Sequence, residues 1–293
     1  MKVIDLAMLG RLGTEVLAAA GIATLATSVL YTFMWPVALG VQAITSRRYG
    51  RQTAAATPEE KEYLTRETAW VLSNGAIAGW LSISVALVLS TLVEPVLTVL
   101  LDDAAIVALA MEYIRVLRWS MIILSVGMAH RGFSAAVNRT GIIMVATVVG
   151  GVLNIALNYA FIFGNFGAPR LEIAGAALGT LLAEAVMTLL FVLYGQLSPA
   201  MRPYRLLRFA HVRRRTIRDI IAVMIPPGVQ NIAALSIFLA YQTLIGRLGT
   251  GYLAVTSLLF AIFRINKTLV GGLAQGASVM VGNRLGTGDT VGA

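Results

Sequence analysis

The 293-residue chain is 58% hydrophobic and only 13% charged, with a mean hydropathy of +0.80 and a formal net charge of +9. That apolar share excludes an ordinary soluble domain, and the lack of cysteine excludes disulfides and thiolate metal or iron–sulfur sites on this chain. The apolar residues come in runs suited to helices of about 20 residues crossing a bilayer core of roughly 30 Å, without the alternation of a barrel, so the expected class is an all-α polytopic membrane protein.

The opening "MKVIDLAML" is broken by Asp5 and followed by Arg11 with no small-residue cleavage site. It reads as a piece of helix from Val3 to Gly10, not as a signal peptide. Seven further spans are expected at Val16 to Thr45, Thr68 to Leu92, Ala104 to His130, Gly141 to Phe163, Ile173 to Leu197, Thr216 to Gly246 and Tyr252 to Gly282. Pro36, Pro226 and Pro227 remove helix donors and are expected to kink or break their spans. Small residues in "GGVLN" and "AGAALGTLLA" permit close helix contact. Glu112, Arg115 and Arg118 form a polar first stretch of their span, with Glu112 and Arg115 at i, i+3, and are assigned to structure.

Alternate connections differ sharply in charge. One set holds fifteen basic residues, including Arg47, Arg48, Lys61, Arg66, Arg139 and the cluster "RPYRLLRFAHVRRRTIR"; the other holds only Arg11, Arg170 and Arg247. The positive-inside rule places the basic set in the cytoplasm, and the expected location is a plasma membrane, such as a bacterial inner membrane. The same asymmetry accounts for the positive charge through topology and anionic lipid headgroups, so membrane lipids are expected partners and nucleic acid is not.

The stretch "LGRLGTEVLA" (Leu9 to Ala18) returns as "IGRLGTGYLA" (Ile245 to Ala254), 236 residues later, and Gly40/Gly276, Arg48/Arg284 and Gly50/Gly286 keep the offset a full span on. Both copies run in the same direction, which makes a parallel repeat with a pseudo-twofold axis along the membrane normal and a substrate path between two halves. The expected domains are a first lobe at 1–197, a basic connecting loop at 198–215 and the start of a second lobe at 216–293. The same bookkeeping implies that the chain is a fragment, lacking roughly twenty residues of its first helix and about 140 residues of the second lobe.

Five strings, "DLAMLGRLGTEVLAAAG", "RGFSAAVNRTGIIM", "GGVLNIALNYAFIFGNFG", "EIAGAALGTLLAE" and "AQGASVMVGNRLGTGD", sample every part of the chain. In their order and spacing the chain resembles the MATE (multidrug and toxic compound extrusion) family. That resemblance implies twelve transmembrane helices in two six-helix lobes, of which about eight are present. It also implies export of small amphiphilic, commonly cationic, compounds by a monomer working through alternating access against H⁺ or Na⁺, with no other cofactor.

An ionised group inside a membrane helix normally faces a polar interior. Asp5 lies about 8 Å inside the outer end of its helix, at 1.5 Å per residue; on residues alone, pairing with Arg11 at the interface is an open alternative. Asn154 and Asn158 share one helix face at i, i+4, and interhelical hydrogen bonding alone would explain them. Asn158 and Thr180 fall at the depth of Asp5, although Thr180 equally fits bonding back to Ala176. The resemblance implies that Asp5, Asn154, Asn158 and Thr180 form the ion-coupling site, with Ala176 added if the ion is Na⁺. Asn158 stands where some members of the family carry a second Asp. One carboxylate with amides makes a weaker Na⁺ cage than two carboxylates, and burial disfavours a charged carboxylate, so H⁺ is the expected coupling ion.

Glu184, one turn from Thr180, is a candidate for the substrate path, as are Gln42, Arg264 and Lys267; a purely structural pairing of Glu184 stays open. An enzyme is not expected. Asp102 and Asp103 stand without a second acidic motif, and His130 and His211 lack any metal or triad pattern. A lipid-linked oligosaccharide flippase of the same superfamily is the alternative transport function, for which mainly Arg264 and Lys267 would supply the basic cleft.

Overall fold

A computed structural model describes residues 2–101, 103–204, 212–248 and 250–292, without the side chains of 2, 3, 239, 242, 243, 246–258, 260–262, 264, 265, 267 and 268. Among the described residues every regular element is helical. In chain order these are α1 (Lys2–Leu9), α2 (Thr14–Tyr31), α3 (Trp35–Thr53), α4 (Pro58–Thr91), α5 (Val93–Leu100), α6 (Ala104–Leu117), α7 (Ser120–Ala136), α8 (Gly141–Phe163), α9 (Glu172–Leu197), α10 (Arg214–Leu248) and α11 (Thr250–Thr287). Thr14–Thr53, Pro58–Leu100, Gly141–Phe163, Glu172–Leu197 and Arg214–Phe238 are each long and apolar enough to cross a membrane.

The breaks inside spans have local causes. α2 gives way to α3 ahead of Pro36, which sits in the first turn of α3, where its missing N–H costs nothing. By contrast α10 continues through Pro226 and Pro227 without a break; the carbonyls of Ala222 and Val223 simply go without their usual partners. The break between α6 and α7 at Arg118–Trp119 involves neither proline nor glycine and leaves no mark in the sequence pattern. α4 begins ten residues before the expected Thr68, because Thr57 caps it by accepting from the Glu60 N–H at 3.2 Å and Pro58 follows at the first position. Arg115 pairs not with Glu112 but with Glu94 on α5, at 3.2 Å. Asp103 caps α6, accepting from the N–H groups of Ala105 (2.9 Å) and Ile106 (3.3 Å); Asp102 and His211 lie outside the described residues.

Three apolar clusters hold the bundle. One joins α1, α2, α6, α8 and α9 around Leu9, Met111, Tyr113, Ile162 and Ile173. A second joins α3, α4 and α7 to α10 through Val37, Phe133, Ile220 and Met224, and a third surrounds Leu30, Met34 and Met121.

The duplication is visible as packing. A methyl group on Gly50 would overlap the carbonyl of Asn283, and one on Gly286 would overlap the carbonyl of Arg47 and lie 2.8 Å from the Gly50 Cα. Residues 47 and 283, and 50 and 286, are themselves repeat mates, so the two contacts are images of each other and the pseudo-twofold axis passes between α3 and α11 here. Ser46 lies against its own mate, Gly282. One turn and more toward the membrane interior, Gln42 and Gln275 bond reciprocally at 3.1 and 3.3 Å. α10 joins at the same end, its Ile220 and Met224 meeting Gly40. α2, the other half of the α3 span, instead packs on α1, α4 and α6.

Gly50→Val or Gly286→Val should each lower stability by about 1–3 kcal/mol, the usual range for overpacking a close contact. Gly271→Val, where a side chain meets open space, should cost much less. Thermal unfolding of the detergent-purified protein checks the contrast.

Candidate functional site

Close approach of α8 and α9 comes first. Gly175 and Gly179 lie one turn apart on α9; a methyl on Gly175 would come within 2.5 Å of the Phe161 carbonyl, and one on Gly179 would overlap Asn158 Oδ1. These glycines let two helix backbones meet without side chains between them, which brings the polar groups of both to one level.

Into that level α1 projects Asp5, 2% exposed. Asn158 Nδ2 donates to Asp5 Oδ1 at 2.6 Å, and Thr180 Oγ1 donates to Asp5 Oδ2 at 3.2 Å. Asn154 Nδ2 in turn donates to Thr180 Oγ1 at 3.1 Å. All four expected residues therefore form one buried chain of hydrogen bonds across three helices, with Asn154 reaching Asp5 through Thr180. Thr180 is thus turned to Asp5, not back to Ala176, which is fully buried one turn away on the same helix.

Both carboxylate oxygens of Asp5 accept, an arrangement that suits the anion. The amide oxygens of Asn154 and Asn158 are buried without a hydrogen-bond partner. Such orphan acceptors are costly, and they are the groups that a proton on Asp5 or a small hard cation would satisfy.

Glu184, 7% exposed, faces a second polar group. Tyr31 Oη donates to Glu184 Oε2 at 3.3 Å and shares a 2.6 Å hydrogen bond with Ser120 Oγ. Tyr31 and Ser120 were missing from the sequence-based set, although Thr24, Thr27, Ser28 and Tyr31 mark a polar stripe along α2 at helical spacing. Gln42 does not line an open path; it is 2% exposed and bonded to Gln275, the partner that sequence pattern did not reveal. Arg264 and Lys267 belong to α11, but their side chains lie outside the described residues.

Removing the Thr180 hydroxyl leaves both Asp5 and Asn154 short of a partner. Thr180→Ala should therefore cost about 1–3 kcal/mol in thermal unfolding, with Thr180→Ser restoring most of it.

Comparison with known proteins bears on the whole arrangement. Probable multidrug resistance protein NorM from Pseudomonas aeruginosa is 30% identical over 285 residues, spanning 97% of this chain and 56% of the relative. A protein of the same name from Rhizobium meliloti is 30% identical over 289 residues, 98% of this chain and 60% of the relative. The crystal structure of MATE in the bent conformation superposes with a TM-score of 0.80 at 21% identity, covering 98% of this chain and 61% of that one. The outward-facing conformation of a multidrug resistance MATE family transporter of the MOP superfamily gives a TM-score of 0.76 at 22% identity, with the same coverage. The chain thus spans a little over half the length of these relatives and shares their helical membrane fold. Residues 1–160 match the MatE family model, more than half of the sequence, and the chain belongs to the MatE family.

Proposed function

We propose that the protein is a secondary active efflux antiporter that exports small amphiphilic, cationic compounds in exchange for H⁺, working as a monomer in the plasma membrane. The observation that carries this reading is the buried carboxylate of Asp5, held by donors from α8 and α9 beside two unsatisfied amide oxygens. A carboxyl in that setting has two states with different demands. Ionised, it needs the donors of Asn158 and Thr180; protonated, it releases one of them and offers its own O–H to an amide oxygen. Loading a proton therefore changes how α1 is held against α8 and α9, which is the local event a coupled transporter requires.

The multidrug resistance names of the NorM relatives support drug-like substrates. Alternating access is supported by the placement of the contacts between the two halves. They cluster around Ser46/Gly282 and Gly50/Gly286, close to the basic ends of α3 and α11. If the basic loops face the cytoplasm, that contact closes the inner side, and the substrate leaves outward. Glu184, buried beside Tyr31, supplies a negative charge in the first half that suits a cationic substrate. Proton coupling is favoured over Na⁺ because Asp5 is the sole carboxylate in its hydrogen-bonded group.

Asp5→Asn tests the proposal in cells loaded with a fluorescent cationic dye. Efflux driven by a pH gradient should fall to background while the amount of protein in the membrane is unchanged; efflux at the original rate would refute it. Replacing Na⁺ by K⁺ outside should leave efflux by the unaltered protein as it was, and a loss of efflux would assign the coupling to Na⁺.

A further inference from the structure

At the basic end of the molecule, away from Asp5, a cavity of about 730 Å³ opens between the first turns of α4 and the 3-10 turn Arg202–Tyr204. Its size is that of a small-molecule site, roughly 300–1,000 Å³. Three cations line it: Lys61, Arg66 and Arg202. Glu62, also in the wall, is taken up by Arg66 as an ion pair, whereas Lys61 and Arg202 have no ion-pair partner among the described residues. The buried Thr65 adds a hydroxyl, although that hydroxyl donates to the Lys61 carbonyl at 2.7 Å.

The aromatic walls are braced from behind. Trp70 lies under the Arg213 guanidinium, 4.2 Å from the ring centre, and Arg213 is fixed in turn by Glu67 at 2.8 Å. Tyr204 meets Phe133 edge-on at 5.3 Å and receives a hydrogen bond from Gln52 at 3.4 Å. Burial pushes its hydroxyl up to about 12, so it stays neutral beside the cations. A preformed cavity with two unpaired cations and stiff aromatic walls is suited to a compact anion with several acceptor oxygens.

We infer that this cavity binds a phosphate group, and that the phosphate is carried by an anionic phospholipid of the surrounding leaflet. The lipid source follows from where the cavity sits along α4. The helix is polar from Pro58 to Glu67 and presents exposed Trp80, Leu81, Val85 and Val88 further on, so the cavity stands at the change from water-facing to lipid-facing surface. Trp70 falls between the two, the usual place for an interfacial aromatic. The inference concerns a surface remote from Asp5 and does not depend on what is transported.

Thermal unfolding of the protein in detergent tests it, with phosphatidylglycerol, phosphatidylcholine or inorganic phosphate added, in comparison with Lys61→Gln/Arg202→Gln and with Arg214→Gln/Arg215→Gln, which alters exposed cations outside the cavity. Phosphatidylglycerol, and not phosphatidylcholine, should raise the midpoint of the unaltered protein. Lys61→Gln/Arg202→Gln should unfold at the original midpoint without lipid and need about tenfold to a hundredfold more phosphatidylglycerol for the same rise, from about a threefold to tenfold loss at each of the two interfacial cations. Arg214→Gln/Arg215→Gln should respond as the unaltered protein does. If inorganic phosphate alone gives the full rise and the Lys61/Arg202 variant loses it, the phosphate site stands with a soluble source. An equal response from the Lys61/Arg202 variant, or an equal loss in both variants, would overturn the inference. Should the double variant fold poorly, Lys61→Gln and Arg202→Gln are read singly by native mass spectrometry of retained lipid, where undiminished retention in both contradicts it.

Discussion

A carboxylate removed from water needs either hydrogen-bond donors or a proton, and the meeting of α1, α8 and α9 is organised by that need at Asp5. The donors are neutral and come from two helices, Asn158 from α8 and Thr180 from α9. They reach the carboxylate only because Gly175 and Gly179 carry no side chain at the α8–α9 contact. Packing and polarity are therefore one constraint: a methyl group at Gly179 would displace Asn158, and with it a partner of Asp5. The buried amide oxygens left over show that the anionic arrangement does not satisfy every group at once. Under the proposed coupling, a proton here would bring a change of partners, and a local event of that kind can bias a larger equilibrium.

The larger equilibrium has its own geometry. α3 and α11 touch through repeat-related glycines, so the same surface appears on both sides of the contact, as at an isologous interface. At Gly50 and Gly286 the two backbones meet with no side chain between them, so that part of the contact is made or lost as a unit. The reciprocal Gln42–Gln275 pair adds direction to an otherwise smooth surface. Separation would leave both amides to water or to substrate, a smaller penalty than exposing charge.

How much of this was legible in the sequence depends on the kind of signal. Long apolar runs located the spans, because bilayer thickness leaves little freedom in helix length, and the duplicated turn "GRLGT" announced the symmetry that Gly50 and Gly286 embody. The depth of Asp5, Asn158 and Thr180 could be counted from their helix ends, and these residues do meet. Family resemblance was needed to single them out from other polar residues. Partners chosen by tertiary packing were not legible: Arg115 takes Glu94 over Glu112, and Gln42 finds Gln275 more than two hundred residues away. Nor was the break at Trp119, which has no proline or glycine to signal it. The early start of α4 is written in "TPEE", a cap signal that lies outside the apolar run and so outside what hydrophobic length can mark.

The central claim is that Asp5 exchanges a proton as substrate binds. Substrate added to the purified protein in weakly buffered detergent solution, followed with a pH indicator, tests this without a membrane or a gradient. The account predicts proton release by the unaltered protein at neutral pH, and none by Asp5→Asn, with substrate binding retained by both. Equal release from the two proteins would place the exchanging group elsewhere and contradict it.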